Sequence, residues 1–121
     1  MITALGKELR RMRIDSGELL KDMADKLNIT PSYLSSIENG KRKPTRDFID
    51  KVIVVYNLTT SQKKKLENAY FETIDEISIF TDNVSSEKKE LGLVFARKFN
   101  SLDSEQMKSI AIILNKNKES E

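Results

Sequence analysis

The residues with the clearest chemistry are three consecutive cations, Lys41, Arg42 and Lys43, which follow a segment of small polar side chains. Ammonium and guanidinium groups bind the phosphates of a nucleic acid backbone, which gives affinity but little sequence discrimination. The hydroxyls of Ser32 and Ser36 are short enough to let a helix approach base edges, where they can donate or accept hydrogen bonds. This basic loop (Lys41, Arg42 and Lys43) and the serines together predict a surface that binds double-stranded DNA.

Two predicted helices must hold these side chains in place. Within residues 20–40, Met23, Ala24 and Leu27 repeat at helical spacing and mark the buried side of a first short helix. Asn28 follows where the chain must bend, and asparagine tolerates the left-handed backbone conformation that a tight turn requires. The segment therefore predicts a helix, a turn and a second helix.

The second helix of this pair has clear ends. Thr30 is a natural N-cap, Pro31 suits the first helical position, and Gly40 is a typical terminator. Leu34 and Ile37 form its buried side. At about 100° per residue, the two serines named above point away from these apolar residues and therefore face outward.

The ordered residues of this pair resemble the Cro/repressor-type (XRE-family) helix-turn-helix proteins of phages and bacteria. The resemblance covers about residues 5–58 and is clearest at residues 33–42, which read YLSSIENGKR. Ala24 matches the small residue where the two helices touch, and Asn28 stands at the usual turn glycine. The resemblance implies an all-α protein that begins with a five-helix lambda-repressor-like helix-turn-helix domain.

The start of the first helix of the pair departs from that family. A Ser, Thr or Asn cap followed by a phosphate-binding Gln is usual, but Leu19 and Leu20 occupy these positions. Glu18 stands where an apolar residue is usual. The N-cap hydrogen bond and the glutamine contact are therefore expected to be absent, and Lys21 is the candidate for a replacement phosphate contact.

The resemblance and the helical spacing give two sets of candidate contacts. Base-edge contacts are expected from Pro31, Ser32, Tyr33, Ser35 and Ser36. Phosphate contacts are expected from Lys21, Asn39, Lys41, Arg42 and Lys43. The alternatives are that the serines are only solvated and that Tyr33 packs over the helix surface; for Tyr33 the two interpretations are evenly balanced.

The resemblance also pairs Arg13 of the first helix with Glu38 at the end of the second helix of the pair. A buried ion pair between them would fix how that helix projects from the domain, so we predict a structural role. The alternative is that Arg13 is another cation facing phosphate.

Further helices are predicted on both sides of the pair. Leu5, Leu9 and Met12 form a helical stripe that Thr3 could cap. A fourth helix is expected after an N-cap at Thr45. It contains the run Val52, Ile53, Val54 and Val55, which alone would favour a strand, but the capping and the family spacing favour a helix. A fifth helix is expected to open at Thr60 or Ser61.

These patterns divide the chain into four segments. We predict a DNA-binding domain at residues 1–71, a linker or irregular segment at 72–85, a C-terminal helical hairpin at 86–117 and a frayed tail at 118–121. Ser86 is expected to cap the first hairpin helix. The hairpin carries too much apolar surface to stand alone, so it packs either on the DNA-binding domain or against a second copy, and we favour the second copy.

The charge is distributed unevenly over the 121 residues, although the net charge is only +2. Residues 1–65 hold 14 Lys/Arg against 8 Asp/Glu, whereas residues 66–121 hold 7 against 11. Charge alone would favour simple solvation of helix faces. Its coincidence with the helix-turn-helix pattern favours a polyanionic partner for the first part.

Composition argues against several other classes of protein. The chain has no Cys and no His, so it lacks thiolate metal sites, disulfides, cysteine nucleophiles and the commonest general base. We expect no catalytic residues, no metal and no cofactor. No apolar run is long enough to cross a membrane, and charges interrupt residues 1–16, so a signal peptide is not expected. A cytoplasmic protein of a bacterium or phage is predicted.

The sequence thus predicts a transcriptional regulator, most simply a repressor that binds a palindromic operator as a homodimer. The alternative is an interaction protein, of antitoxin or inhibitor type, that uses its C-terminal helices to bind a second protein. In that case DNA binding would be secondary or lost.

Overall fold

A computed structural model describes residues 1–116, and every regular element in that range is helical. The prediction of an all-α fold is confirmed. The helices are α1 (Ala4–Ser16), α2 (Leu20–Lys26), α3 (Pro31–Glu38), α4 (Arg46–Val55), α5 (Thr60–Thr73), α6 (Ser86–Lys98) and α7 (Ser104–Asn115), with a 3-10 turn at Phe99–Ser101. The predicted tail at 118–121, and Asn117 before it, lie outside the described residues.

The chain forms two compact units. The first, Met1–Ile77, contains α1 to α5, and the second begins at Ser78 and contains α6 and α7.

Threonine caps begin four helices of the first unit, and at α5 Thr59 accepts a hydrogen bond from the Gln62 N–H at 3.2 Å. Thr3, Thr30 and Thr45 each accept a hydrogen bond from the backbone N–H three residues later, at 3.0 Å in all three cases. These caps confirm the predicted starts of α1, α3 and α4. An N-cap hydroxyl satisfies one of the backbone donors that the first turn of a helix leaves without a partner.

The later helix starts agree with the sequence to within one residue. The fifth helix begins at Thr60, one of its two predicted starts. The predicted cap of α6 at Ser86 is wrong by one position, because Ser85 accepts the hydrogen bond from the Lys88 N–H at 3.1 Å. Two adjacent serines offer the same hydroxyl, so local chemistry alone does not distinguish them.

Four left-handed residues reverse the chain between helices. Gly17 (φ 71°) and Gly40 (φ 76°) are glycines, for which this conformation is not strained. Asn28 (φ 56°) makes the predicted turn between α2 and α3, and Asn57 (φ 47°) makes the turn between α4 and α5.

One apolar core joins the helices of the first unit. α1 packs against α5 and α3, and α2 packs against α3. The core side chains are Leu5, Leu9, Met23, Ala24, Leu27, Leu34, Ile37, Phe48, Ile49, Val52 and Leu66. Burial of this apolar surface is the main force that holds the helices together.

The apolar run that alone would favour a strand is helical. Val52 is fully buried and Ile53 packs partly against the core, whereas Val54 is 77% exposed. This distribution follows the helical period, in which neighbouring residues lie about 100° apart.

The second unit buries none of its helical residues. Leu91 is 68% exposed on α6, and Ile113 is 62% exposed on α7. Phe95 and Phe99 meet edge to face, with ring centroids 5.7 Å apart. Both helices therefore have exposed apolar side chains.

Within residues 1–116, no helix has the length and hydropathy that crossing a membrane requires.

Candidate nucleic-acid interface

The outer face of α3 (Ser32, Tyr33, Ser35 and Ser36) has the polar character that the sequence predicted. Ser32 is exposed, while the other three side chains are partly exposed. The opposite side of the helix is buried in the core through its two apolar residues. Pro31 occupies the first helical position and is exposed as well. α3 therefore exposes short polar side chains. Its N-terminal end is fixed by the Thr30 cap and by the proline that follows it.

Ser35 and Asn39 are linked to each other. The Asn39 side-chain amide donates to the Ser35 carbonyl oxygen at 2.9 Å and to the Ser35 hydroxyl at 3.3 Å. Both were candidate DNA contacts, and the structure gives them a partner within the chain. The Ser35 carbonyl oxygen also accepts from the Asn39 backbone N–H at 3.0 Å, so the Asn39 side chain adds further bonds to the last turn of α3.

The basic loop is anchored to α3 through its backbone. Gly40 turns the chain, and the N–H groups of Lys41 and Arg42 both donate to the Ser36 carbonyl oxygen, at 2.9 and 3.1 Å. All three cations of the loop are exposed. The loop therefore lies beside the outer face of α3.

The three cations have different surroundings. The Lys43 ammonium lies 3.8 Å from a carboxylate oxygen of Glu76, whereas the Arg42 guanidinium lies over the ring of Tyr33, 4.8 Å from its centroid. Lys21, the remaining phosphate candidate, is exposed in the first turn of α2.

A buried ion pair connects α1 to the end of α3. The Arg13 guanidinium donates to both carboxylate oxygens of Glu38, at 2.5 and 3.1 Å. The two side chains are 9% and 2% exposed. Arg10 adds a third donor at 3.4 Å, and the Met23 sulfur lies 3.3 Å from Arg13.

The backbone at Glu38 is held as firmly as its side chain. Its carbonyl oxygen accepts from the Thr3 N–H at 2.9 Å and from the Thr3 hydroxyl at 3.2 Å. The start of α1 is thus fixed against the end of α3. Because the basic loop begins three residues later, these contacts also set the position of the loop.

The comparison with protein families decides what this arrangement is. The model of a helix-turn-helix domain matches residues 4–66, which is just over half of the chain and spans α1 to the middle of α5. The chain belongs to the XRE-type helix-turn-helix family of DNA-binding proteins.

Part of the chain is similar in sequence to transcriptional regulators of this family. The chain is 39% identical over 57 residues to the HTH-type transcriptional regulator ImmR of Bacillus subtilis (strain 168), a match that covers 47% of this chain and 45% of ImmR. It is 32% identical over 74 residues to the HTH-type transcriptional regulator SinR of Bacillus subtilis (strain 168), and equally to SinR of Bacillus licheniformis. These matches cover 59% of this chain and 67% of SinR.

The matched part thus spans less than half of ImmR and about two thirds of SinR. No solved structure gives a significant match.

The structure explains how this XRE-type chain accommodates its unusual α2 start. Leu19 has no side-chain acceptor, and the Asp22 carboxylate instead accepts from the Leu19 N–H at 2.8 Å. This is half of the reciprocal arrangement found in a capping box. Asp22 also places a negative charge in the first turn, where it interacts favourably with the helix dipole.

Glu18, which replaces the usual apolar residue, lies in a polar cluster that sequence reasoning missed. Its carboxylate lies 2.8 Å from the Lys26 ammonium, and it accepts from the Ser16 hydroxyl at 2.6 Å and from the Tyr56 hydroxyl at 3.3 Å. Burial alone would raise the pKa of Glu18, but the hydrogen bonds from Lys26 and Ser16 outweigh it and lower the pKa. The cluster joins α1, α2 and α4 with polar contacts.

The same cluster perturbs Tyr56. Burial, followed by the negative charge and hydrogen bond of Glu18, raises the pKa of Tyr56 to about 12. Lys26 also lies 5.2 Å from the centre of the tyrosine ring. The sequence signal for this cluster was Glu18 itself, an acid at a position where the family usually has an apolar residue.

Proposed function

We propose that this chain is a transcriptional regulator that places α3 in the major groove of double-stranded DNA. Its most economical mode of action is repression, by occupation of a palindromic operator as a homodimer. The family to which the chain belongs supports DNA binding. The names of ImmR and SinR, both HTH-type transcriptional regulators, support a regulatory role.

The observation that carries this proposal is the continuity of the outer face of α3 with the basic loop. Short hydroxyl groups suit close approach to base edges, and cations beside them suit the phosphates that border the groove. Both sets of groups belong to one piece of structure, because the Ser36 carbonyl oxygen binds the first two N–H groups of the loop. Base-edge readout and phosphate binding would therefore occur together.

Dimerisation is the second part of the proposal. A single small helix-turn-helix unit makes few DNA contacts, whereas a two-fold pair reads two half-sites about one helical turn apart. The exposed apolar side chains of α6 and α7 support a second copy as the partner that covers them. Burial of such side chains against their equivalents favours association.

Charge reversal of the basic loop tests the DNA-binding part. Changing Lys41, Arg42 and Lys43 to Glu should abolish tight binding of duplex DNA. Each lost phosphate contact lowers the salt dependence of the logarithm of the binding constant by about 0.9. Changing Lys63, Lys64 and Lys65 to Glu provides a matched control, because these three cations are also consecutive and exposed. An equal loss of binding in both variants would contradict the proposed interface.

A second candidate function rests on the same exposed apolar side chains. The apolar side chains of α6 and α7 would equally suit a different protein as partner. In that case the chain would be an interaction protein of antitoxin or inhibitor type. Weak DNA binding that is unaffected by reversal of the basic loop would favour this function over the first.

A further inference from the structure

Arg42 differs from the other four arginines of the first unit in the partner of its guanidinium group. The unit Met1–Ile77 contains five arginines, and Arg10, Arg11, Arg13 and Arg46 each pair with a carboxylate. Within residues 1–116, no carboxylate lies within 4.0 Å of the Arg42 guanidinium. Its guanidinium carbon lies over the ring of Tyr33, 4.8 Å from the ring centroid.

The backbone geometry brings these two side chains together. Tyr33 and Ser36 are three residues apart on α3, so they lie on the same side of the helix, one turn apart. The Arg42 N–H is bound to the Ser36 carbonyl oxygen at 3.1 Å. From that anchor the arginine side chain runs back along the helix by about one turn and lies over the tyrosine ring.

Stacking of this kind leaves the arginine able to bind an anion. The guanidinium carbon lies over the ring, 4.8 Å from its centroid, and a guanidinium carries its N–H donors around the edge of a planar group. A phosphate oxygen is accepted along that edge, and arginine can use two N–H groups for one phosphate. The stack also restricts a side chain that would otherwise sample many rotamers in the exposed loop.

We propose that Tyr33 is a positioning residue whose ring holds Arg42 ready for a phosphate of the DNA backbone. The inference rests on the proposed function and assigns Tyr33 a role other than base contact. It predicts that the ring matters and the hydroxyl does not, and that the ring matters only while Arg42 is present.

The test is a double-mutant cycle on binding of mixed-sequence duplex DNA, measured at several salt concentrations. An exposed cation–π contact contributes about 0.5–1 kcal/mol, so Tyr33→Leu should weaken binding by roughly 2- to 5-fold. Tyr33→Phe keeps the ring and should bind like the unchanged chain. In the Arg42→Ala background, Tyr33→Leu should have no further effect.

The salt dependence of binding in Arg42 variants complements the double-mutant cycle. Arg42→Ala should lower the salt dependence of the logarithm of the binding constant by about 0.9, the value for one phosphate contact. Arg42→Lys keeps the charge but loses the planar face, so it should respond less to Tyr33→Leu than the unchanged chain does. Thermal unfolding of each variant separates these effects from a loss of folded protein, since Tyr33 also packs partly against the core.

Several results would overturn the inference. If Tyr33→Phe weakens binding as much as Tyr33→Leu, the hydroxyl itself contacts DNA. If Tyr33→Leu weakens binding equally with and without Arg42, the ring acts independently of the arginine. If the unchanged chain binds DNA tightly and Tyr33→Leu has no effect, this inference alone fails. If the unchanged chain shows no salt-dependent binding, the proposed function fails with it.

Discussion

Glu38 is the residue on which the orientation of α3 most directly depends. Its carboxylate is almost fully buried and is bound by Arg13 from α1. A buried ion pair adds little stability in comparison with well-packed apolar residues, but removal of one partner leaves an uncompensated buried charge. We therefore expect the pair to specify the arrangement of α1 and α3 more than it contributes to stability.

Glu38→Gln should lower the free energy of unfolding by about 3 kcal/mol, because Arg13 then lacks its carboxylate in a buried site. Urea unfolding measures this loss. Asp50→Asn is the matched control, because the Arg46–Asp50 pair is about half exposed on both sides and should contribute less than about 1 kcal/mol. Equal losses in the two variants would show that the Arg13–Glu38 pair behaves like a surface pair.

Tyr56 should lose its phenol proton only well above the ordinary pKa of tyrosine. Burial is the largest cause of its raised pKa of about 12, and Glu18 adds to it. Because the raised pKa favours the neutral phenol in the folded protein, its contribution to stability is fully present below the ordinary value of 10.0 and is lost as the pH rises toward 12.

The phenolate absorbance, followed against pH, measures this directly. Glu18→Gln should lower the pKa of Tyr56 without restoring its ordinary value, because burial remains. Tyr56→Phe should remove the late component from the titration curve. A titration curve whose late component is the same with and without Tyr56→Phe would contradict the polar cluster.

The sequence could predict the position of a residue where that position depends only on neighbouring residues. The outward position of Ser32 and Ser36 follows from the helical period once the buried side of α3 is known. The stacking of Arg42 on Tyr33 and the bond between Ser35 and Asn39 could not be predicted in this way. Both depend on how the chain folds back after α3, which helical periodicity does not specify.

At the scale of elements, α1 approaches the end of α3 closely at Gly6. A Cβ atom at Gly6 would lie 2.2 Å from the Glu38 carbonyl oxygen, far closer than van der Waals contact allows. That oxygen is fixed by its hydrogen bonds to Thr3. Glycine at this position is therefore required by the approach of two helices.

Gly6→Ala should lower the free energy of unfolding by about 1–3 kcal/mol, the usual cost of overpacking, despite the higher helix propensity of alanine. Gly92→Ala is the control, because Gly92 also lies within a helix but has open space around its Cα. It should raise helix content, measured by circular dichroism, without loss of stability. A stabilising effect of Gly6→Ala would contradict the packing of α1 on α3.

Helix starts and turns were predictable because their causes are local. A threonine cap, a proline at the first helical position and a left-handed asparagine or glycine act within a few residues of sequence. The start of α2 shows the limit of such reasoning. The missing cap at Leu19 was predicted, but the compensating bond from Asp22 and the cluster around Glu18 were not. The cluster depends on Lys26 and Tyr56, which reach Glu18 from α2 and from the end of α4.

At the scale of the whole molecule, the two units differ in how they use their apolar residues. The first unit encloses a core, whereas the second leaves its apolar side chains exposed. Large exposed apolar patches on a chain of this kind mark interaction surfaces. The sequence predicted amphipathic helices there, but what covers them depends on a partner, which one chain does not specify.

Phe95→Glu should convert a dimer of the chain into monomers, because the substitution places a charge in the apolar face that we propose to be the dimer interface. Sedimentation equilibrium measures the change in mass. Lys89→Glu, a change of charge on the polar side of the same helix, should leave the dimer intact. A dimer that survives Phe95→Glu unchanged would place the interface elsewhere.

The central claim is that the chain binds operator DNA in a sequence-specific manner, and selection from random duplex DNA tests it most directly. The purified chain is allowed to enrich its preferred duplex, and its binding to that duplex is then followed as salt increases. We predict an enriched palindrome with half-sites about one helical turn apart and an affinity that falls steeply with salt. Weak binding without an enriched motif would contradict this account and would favour a protein partner bound through α6 and α7.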